Sequence, residues 1–165
     1  MDNTLAARLA QTLRTADPDR YFASLFVPTQ VRPFVVALYA FNVEVARVAE
    51  NVREPMLGAI RLEWWRETAE GAAKDKPRNH DVARGLAALF GAYPVELGAL
   101  EAIIAARAFD SDAGYFADFA ALEAYLDATS GALMRIAAGI LGGDPGRVGQ
   151  AGIAYGLTGI LRSLA

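Results

Sequence analysis

The chain has no cysteine, which excludes disulfide scaffolds, thiolate metal sites and cysteine nucleophiles. It has one histidine, His80, so no histidine cluster can form, and its neighbours Asn79 and Asp81 read as a solvated helix start. Neither sign of charge dominates. Sixteen basic and 19 acidic residues leave a net charge of −3, which argues against nucleic acid, whose binders carry a clustered basic footprint. No uninterrupted apolar run approaches the roughly 20 residues of a membrane span, although 54% of the residues are hydrophobic. That apolar content must be buried or face a greasy ligand, a partner or a membrane surface. The opening MDNTLAARLAQTLR carries Asp2 and lacks an apolar central region, so it reads as neither a secretory signal nor a transit peptide. The chain is therefore expected to be cytoplasmic, with peripheral contact at the inner face of the cell membrane left open. The β-branched alternation of strands is also missing.

What is present is helical periodicity. Apolar residues recur at spacings of three and four almost throughout, which predicts an all-α fold, and 165 residues make one domain, 1–165. A first helix is expected over Leu5 to Thr15, stopped before Asp17-Pro18. A second opens at Pro28-Thr29, with Pro33 in its first turn and Val31, Val35, Leu38, Asn42, Val45 and Val48 or Ala49 on one stripe. A third runs from about Met56 to Ala73 and is followed by a charged loop, Lys74 to Arg78. Asn79 is expected to cap a helix ending at Phe90-Gly91, Pro94 to open one reaching Phe109, and Asp118 to cap a long helix through Leu141. Gly142 to Gly146 breaks the chain before a final helix, which is still apolar and periodic at Leu164-Ala165. The C-terminal end therefore reads as unfinished, or as completed by a partner or by a second copy in a dimer. The adjacent Trp64 and Trp65 point about 100° apart on a helix, so at most one of them can face the core centre.

Several stretches, in order and spacing, resemble squalene and phytoene synthases: Tyr21 to Pro28 (YFASLFVP), Arg32, Ala37 to Phe41 (ALYAF), Leu62 to Arg66 (LEWWR), Tyr125 to Leu133 (YLDATSGAL) and Gly156 to Arg162 (GLTGILR). The resemblance implies a helical bundle of the isoprenoid synthase type, incomplete at its C-terminal end, around an apolar cavity for prenyl chains. It implies head-to-head condensation of prenyl diphosphates, with magnesium held by carboxylates one helical turn apart on facing helices. It also places Arg32, Tyr39, Asn42, Gly131 and Arg162 on the pocket or diphosphate side. Gly131 is expected at a close helix crossing.

The metal-holding positions depart from that pattern. Where the family has an acidic pair and a further aspartate, this chain has Ala46, Arg47 and Glu50, and on the late helix it has Gly156, Gly159 and Ser163. No intact catalytic set remains, and Glu50 is the one metal ligand left should the chain be active. Substitute acids exist in Glu54, in Glu63, Glu67 and Glu70, and in the Asp110-Ser111-Asp112 loop, but surface ion pairs and a turn explain these as well. Phe41 to Glu44, Ala46 to Val48 and Pro55 to Trp65 are similar to one branch in particular, the synthase-like assembly factors of respiratory complex I, which lack the aspartate-rich motifs.

Three readings follow. The first is a non-condensing assembly factor or lipid-binding module, needing no cofactor, whose partner is a hydrophobic or prenyl ligand or a respiratory-complex subunit. The second is a magnesium-dependent prenyl diphosphate synthase. The third is a helical domain with no ligand.

Overall fold

A computed structural model of the chain describes residues 1–52, 54–111 and 115–163. These residues form helices joined by turns. α1 (Asn3–Ala16) begins at Asp2, whose carboxylate accepts the Leu5 N–H at 2.8 Å, and buries Leu5, Leu9 and Leu13 as a stripe at intervals of four. α2 (Pro18–Ser24) was not anticipated: Asp17-Pro18 stops α1 as expected, but Asp17 also caps a new helix, with Pro18 in its first turn.

α3 (Arg32–Ala46) is the central element. Nine of its 15 residues are buried, on all sides of the helix, which marks it as surrounded by other elements. The stripe Val35, Leu38, Asn42, Val45 and Val48 lies in this core as expected. The helix starts at Arg32 rather than Pro28, because Pro28 to Val31 form a turn in which the Val31 and Arg32 N–H groups both return to the Pro28 carbonyl. α1, α5 (Asp81–Ala92), α2 and α8 (Ala132–Ile140) pack around α3, and α4 (Pro55–Ala73) crosses α5 and α6 (Leu97–Ala106).

Two expected helix starts move. His80, not Asn79, caps α5, its Nδ1 accepting the Val82 N–H at 3.2 Å, and its ring lies edge-on to Trp64 and Trp65. Of that tryptophan pair Trp65 is buried, while Trp64 is half-buried beneath the Arg78 guanidinium. Pro94 lies in an extended connection, and α6 begins three residues later.

The long helix expected from Asp118 is capped as read, with the Asp118 carboxylate accepting the Ala121 N–H at 2.8 Å. It is interrupted, however. α7 (Phe119–Leu126) leads into a π-helical turn, Asp127–Gly131, before α8 resumes. The widened turn is supplied with extra donors: the Thr129 hydroxyl donates to the Tyr125 carbonyl at 2.8 Å and Arg135 to the Asp127 carbonyl at 3.1 Å. Gly142, at φ 73°, ends α8 in the left-handed region that favours glycine. α9 (Gly149–Ser163) then lies across the π turn, α7 and α8.

Candidate functional site

α9 carries a stripe of small residues, Gly152, Gly156, Gly159 and Ser163, on one helical face. At its N-terminal end the stripe makes a crossing of backbone on backbone. A Cβ on Gly152 would lie 2.6 Å from Gly131 Cα and 2.7 Å from the Ser130 carbonyl oxygen, so the two backbones touch. One turn on, a Cβ on Gly156 would meet Ser130 Oγ at 2.7 Å. At Gly159 the helices have diverged and nothing lies within 4 Å of where a Cβ would stand.

That divergence opens a cavity of about 460 Å³. Its opposite wall is the C-terminal end of α3 and the 3₁₀ turn after it, through Ala46, Ala49 and Glu50. The acid-deficient positions read from the sequence thus face one another: Ala46 and Glu50 on one side, Gly156, Gly159 and Ser163 on the other. Arg47, the remaining member of that set, is exposed and is not part of the lining.

The polar wall has two parts. On one side Arg20 of α2 is held by Asp17 at 2.6 Å, and its guanidinium stands 4.3 Å over the ring of Tyr155 and 5.6 Å from that of Tyr39. The Tyr155 hydroxyl makes a long contact, 3.4 Å, to Asp17. On the other side Arg107 donates to Asp110 at 3.1 Å and to the Tyr125 hydroxyl at 2.8 Å, and that hydroxyl donates to Asp110 at 2.5 Å. Phe109 and Phe116 pack on the Tyr125 ring. Burial, opposed by the Arg107 charge and reinforced by the bond to Asp110, pushes the Tyr125 hydroxyl above the ordinary tyrosine value; burial does the same for Tyr39 and Tyr155. These phenols are therefore neutral hydrogen-bonding groups near pH 7 and not bases.

A magnesium clamp needs several oxygen ligands around each ion. Among the described residues no three His, Asp or Glu side chains converge. Glu50 stands on the cavity rim, and Asp110 is already engaged by Arg107 and Tyr125. Among the described residues the carboxylates lining the cavity are Glu50 and Asp110, fewer than a metal-diphosphate arrangement uses. Of the other acids weighed, Glu63 and Glu70 pair with Arg66 and Glu67 with Arg78. Asp112 and Gly114 lie outside the described residues.

The residues singled out by resemblance are dispersed. Arg32 donates to the Leu25 and Val27 carbonyls, each at 3.0 Å, and so holds the connection between α2 and α3. Tyr39 is half-buried behind Arg20. Asn42 is inside the core, its Oδ1 without a donor among the described residues. Gly131 sits in the π turn under Gly152, and Arg162 is outside the cavity, paired with Asp19 at 2.6 Å. The sequence reading missed Arg20, Arg107 and Tyr155, because each acts through a partner brought from a different element.

The family model described as squalene/phytoene synthase matches residues 13–165. Among curated proteins the chain is similar to "NADH dehydrogenase (ubiquinone) complex I, assembly factor 6" of Homo sapiens, 32% identical over 132 residues, and to that of Bos taurus, at 30%. In both matches the alignment takes in 80% of this chain, which spans 40% of the relative's length. Among solved structures it is similar to a dehydrosqualene synthase crystallised with a ligand, with a TM-score of 0.83 at 20% identity, covering 96% of this chain and 56% of that one. Helix order, the facing positions of α3 and α9 and the family match agree: the chain belongs to the squalene/phytoene synthase family.

Proposed function

We propose that this protein does not condense prenyl diphosphates and serves instead as an assembly factor for a respiratory NADH dehydrogenase, using the synthase fold as a binding module. The observation that carries this reading is the chemistry of the cavity. The positions that face each other across it are Ala46, Gly156, Gly159 and Ser163, with Glu50 as the one carboxylate among them. A diphosphate leaving group needs its developing charge met by metal or by a surplus of cations, and this wall supplies neither. The relatives named as complex I assembly factors give the reading its biological direction.

Location follows from the same reading. No helix among the described residues is long and apolar enough to cross a membrane, while Phe26 on the turn after α2 and Met56 on α4 are exposed at 91% and 69%. Such side chains suit peripheral contact at the cytoplasmic face of the cell membrane, where an assembly factor meets its client subunit.

Two measurements test the reading. Purified protein given farnesyl or geranylgeranyl diphosphate with magnesium is expected to release no diphosphate above a protein-free control. Magnesium-dependent release that disappears in Glu50→Gln would establish the synthase reading instead. Deleting the gene in its own host is expected to lower the amount of assembled NADH dehydrogenase on native gels, and an unchanged amount would remove the assembly role.

A further inference from the structure

The cavity has been rebuilt in charge as well as in shape. Each arginine on its wall arrives with its own counter-ion, Arg20 with Asp17 and Arg107 with Asp110. Among the described residues, the charged lining groups, with Glu50 on the rim, and the Asp17 that pairs with Arg20 amount to two cations and three anions, an excess of one negative charge. A diphosphate entering such a site meets net repulsion, in surroundings less polar than water where that repulsion is strong.

The remaining chemistry favours a different guest. Ala46, Ala49, Gly156 and Gly159 form a floor without bulk, and Leu126 and Ile160 add apolar surface. The polar groups among them are rich in donors: two guanidiniums and the Ser130 hydroxyl line the space. Arg107 holds donor capacity beyond Asp110 and Tyr125, since its Nε–H is buried with no acceptor among the described residues. Neutral phenols at Tyr125 and Tyr155 complete the wall without adding charge. A volume near 460 Å³ falls within the usual range for small-molecule sites.

We propose that this cavity holds an uncharged, mostly apolar molecule bearing a single hydroxyl or carbonyl oxygen, taken up without metal. The oxygen faces the Arg20 and Arg107 side, and the hydrocarbon lies on the small-residue floor. The inference rests on the non-condensing reading and names the ligand class of that same site.

The test is equilibrium binding of radiolabelled farnesol and farnesyl diphosphate to the full-length protein, in EDTA and then in magnesium. Farnesol is expected to bind at least about tenfold more tightly than the diphosphate in EDTA, the order of effect that one unpaired like charge gives at such range, and magnesium is expected to change neither. Gly159→Leu grows a side chain into open space and is expected to abolish farnesol binding with no loss in thermal midpoint. Should that variant fail to fold, Ala49→Phe fills the same cavity from the opposite wall. Glu50→Gln removes one negative charge and is expected to raise affinity for the diphosphate and leave that for farnesol unchanged. Absent farnesol binding, diphosphate binding equal to or tighter than that of farnesol in EDTA, or farnesol binding that survives a folded cavity-filling variant overturns the inference and leaves the non-condensing reading standing. Magnesium-dependent release of diphosphate, read from product rather than affinity, takes down both.

Discussion

α3 and α9 are the same length, 15 residues each, and are held in place by different means. α3 buries nine side chains and is fixed by volume, with Phe41, Leu38 and Val45 packed out of solvent among the neighbouring helices. α9 buries only Gly152 among its described residues. It is fixed by backbone contact at that one glycine and by polar tethers to α2, namely Arg20 under Tyr155 and Arg162 on Asp19. A helix held by packing makes a rigid wall. One held at a single crossing and two tethers leaves a gap along the rest of its length, and here that gap is the cavity.

The comparison is broken most severely through α3. Phe41→Ala, at a fully buried ring, is expected to cost about 3–5 kcal/mol in urea denaturation. Gly152→Val should cost about 1–3 kcal/mol, because its Cβ meets backbone that cannot swing aside. This loss should be local: hydrogen exchange is expected to quicken across residues 149–163 and stay slow in α3, and equal quickening in both would refute the contrast. Gly131→Leu acts at the same crossing but more mildly, since its Cβ meets the side chain of Asp127 at 2.8 Å, which can rotate. Arg20→Met removes a half-sealed ion pair and two aromatic contacts, and about 1–2 kcal/mol is expected from thermal or urea unfolding.

A smaller effect comes from pH. The folded state holds the hydroxyls of Tyr39, Tyr125 and Tyr155 above the ordinary value of 10.0, chiefly by burial. Their contribution is therefore complete below pH 10 and is lost as pH climbs through the raised folded values, because the unfolded chain releases those protons first. Urea midpoints at pH 9 and 11 should differ in that direction. Two of the three tyrosines belong to the cavity wall, so replacing them with phenylalanine should flatten the dependence. Smallest of all is Arg162→Ala, which releases the weaker, exposed tether of α9 and is expected to quicken hydrogen exchange across residues 149–163 while barely moving the midpoint.

The packed half of the molecule was the legible half. The first helix, the core stripe on α3, the Asp118 cap and the limit of one core tryptophan out of two follow from side-chain spacing and capping residues, which are written locally. Proline was the ambiguous letter. At Pro18 it opened a helix that was read only as a stop, while at Pro28 and Pro94 it stood before helices that begin later. The cavity was half legible. The resemblance identified positions 46, 50, 156, 159 and 163, which line one space, but nothing local signals that Arg20 will lie under Tyr155 from the far end of the chain. Charge pairing across more than a hundred residues is a property of the fold.

The π turn between α7 and α8 bears on how the chain tolerates changes of length. It takes up one residue more than a regular helical path needs, so α7 and α8 continue in phase across it. Deleting one position from Asp127 to Gly131 would let the turn close as regular α-helix with α8 still in phase, whereas adding a residue there would turn α8 by about 100° about its axis, carrying Leu133 and Ile140 out of the core and Arg135 off Asp127. The exposed stretch from Lys74 to Lys76 has no such dependence. Insertions that pass unnoticed there would, within these five residues, rotate one wall of the cavity away from the other.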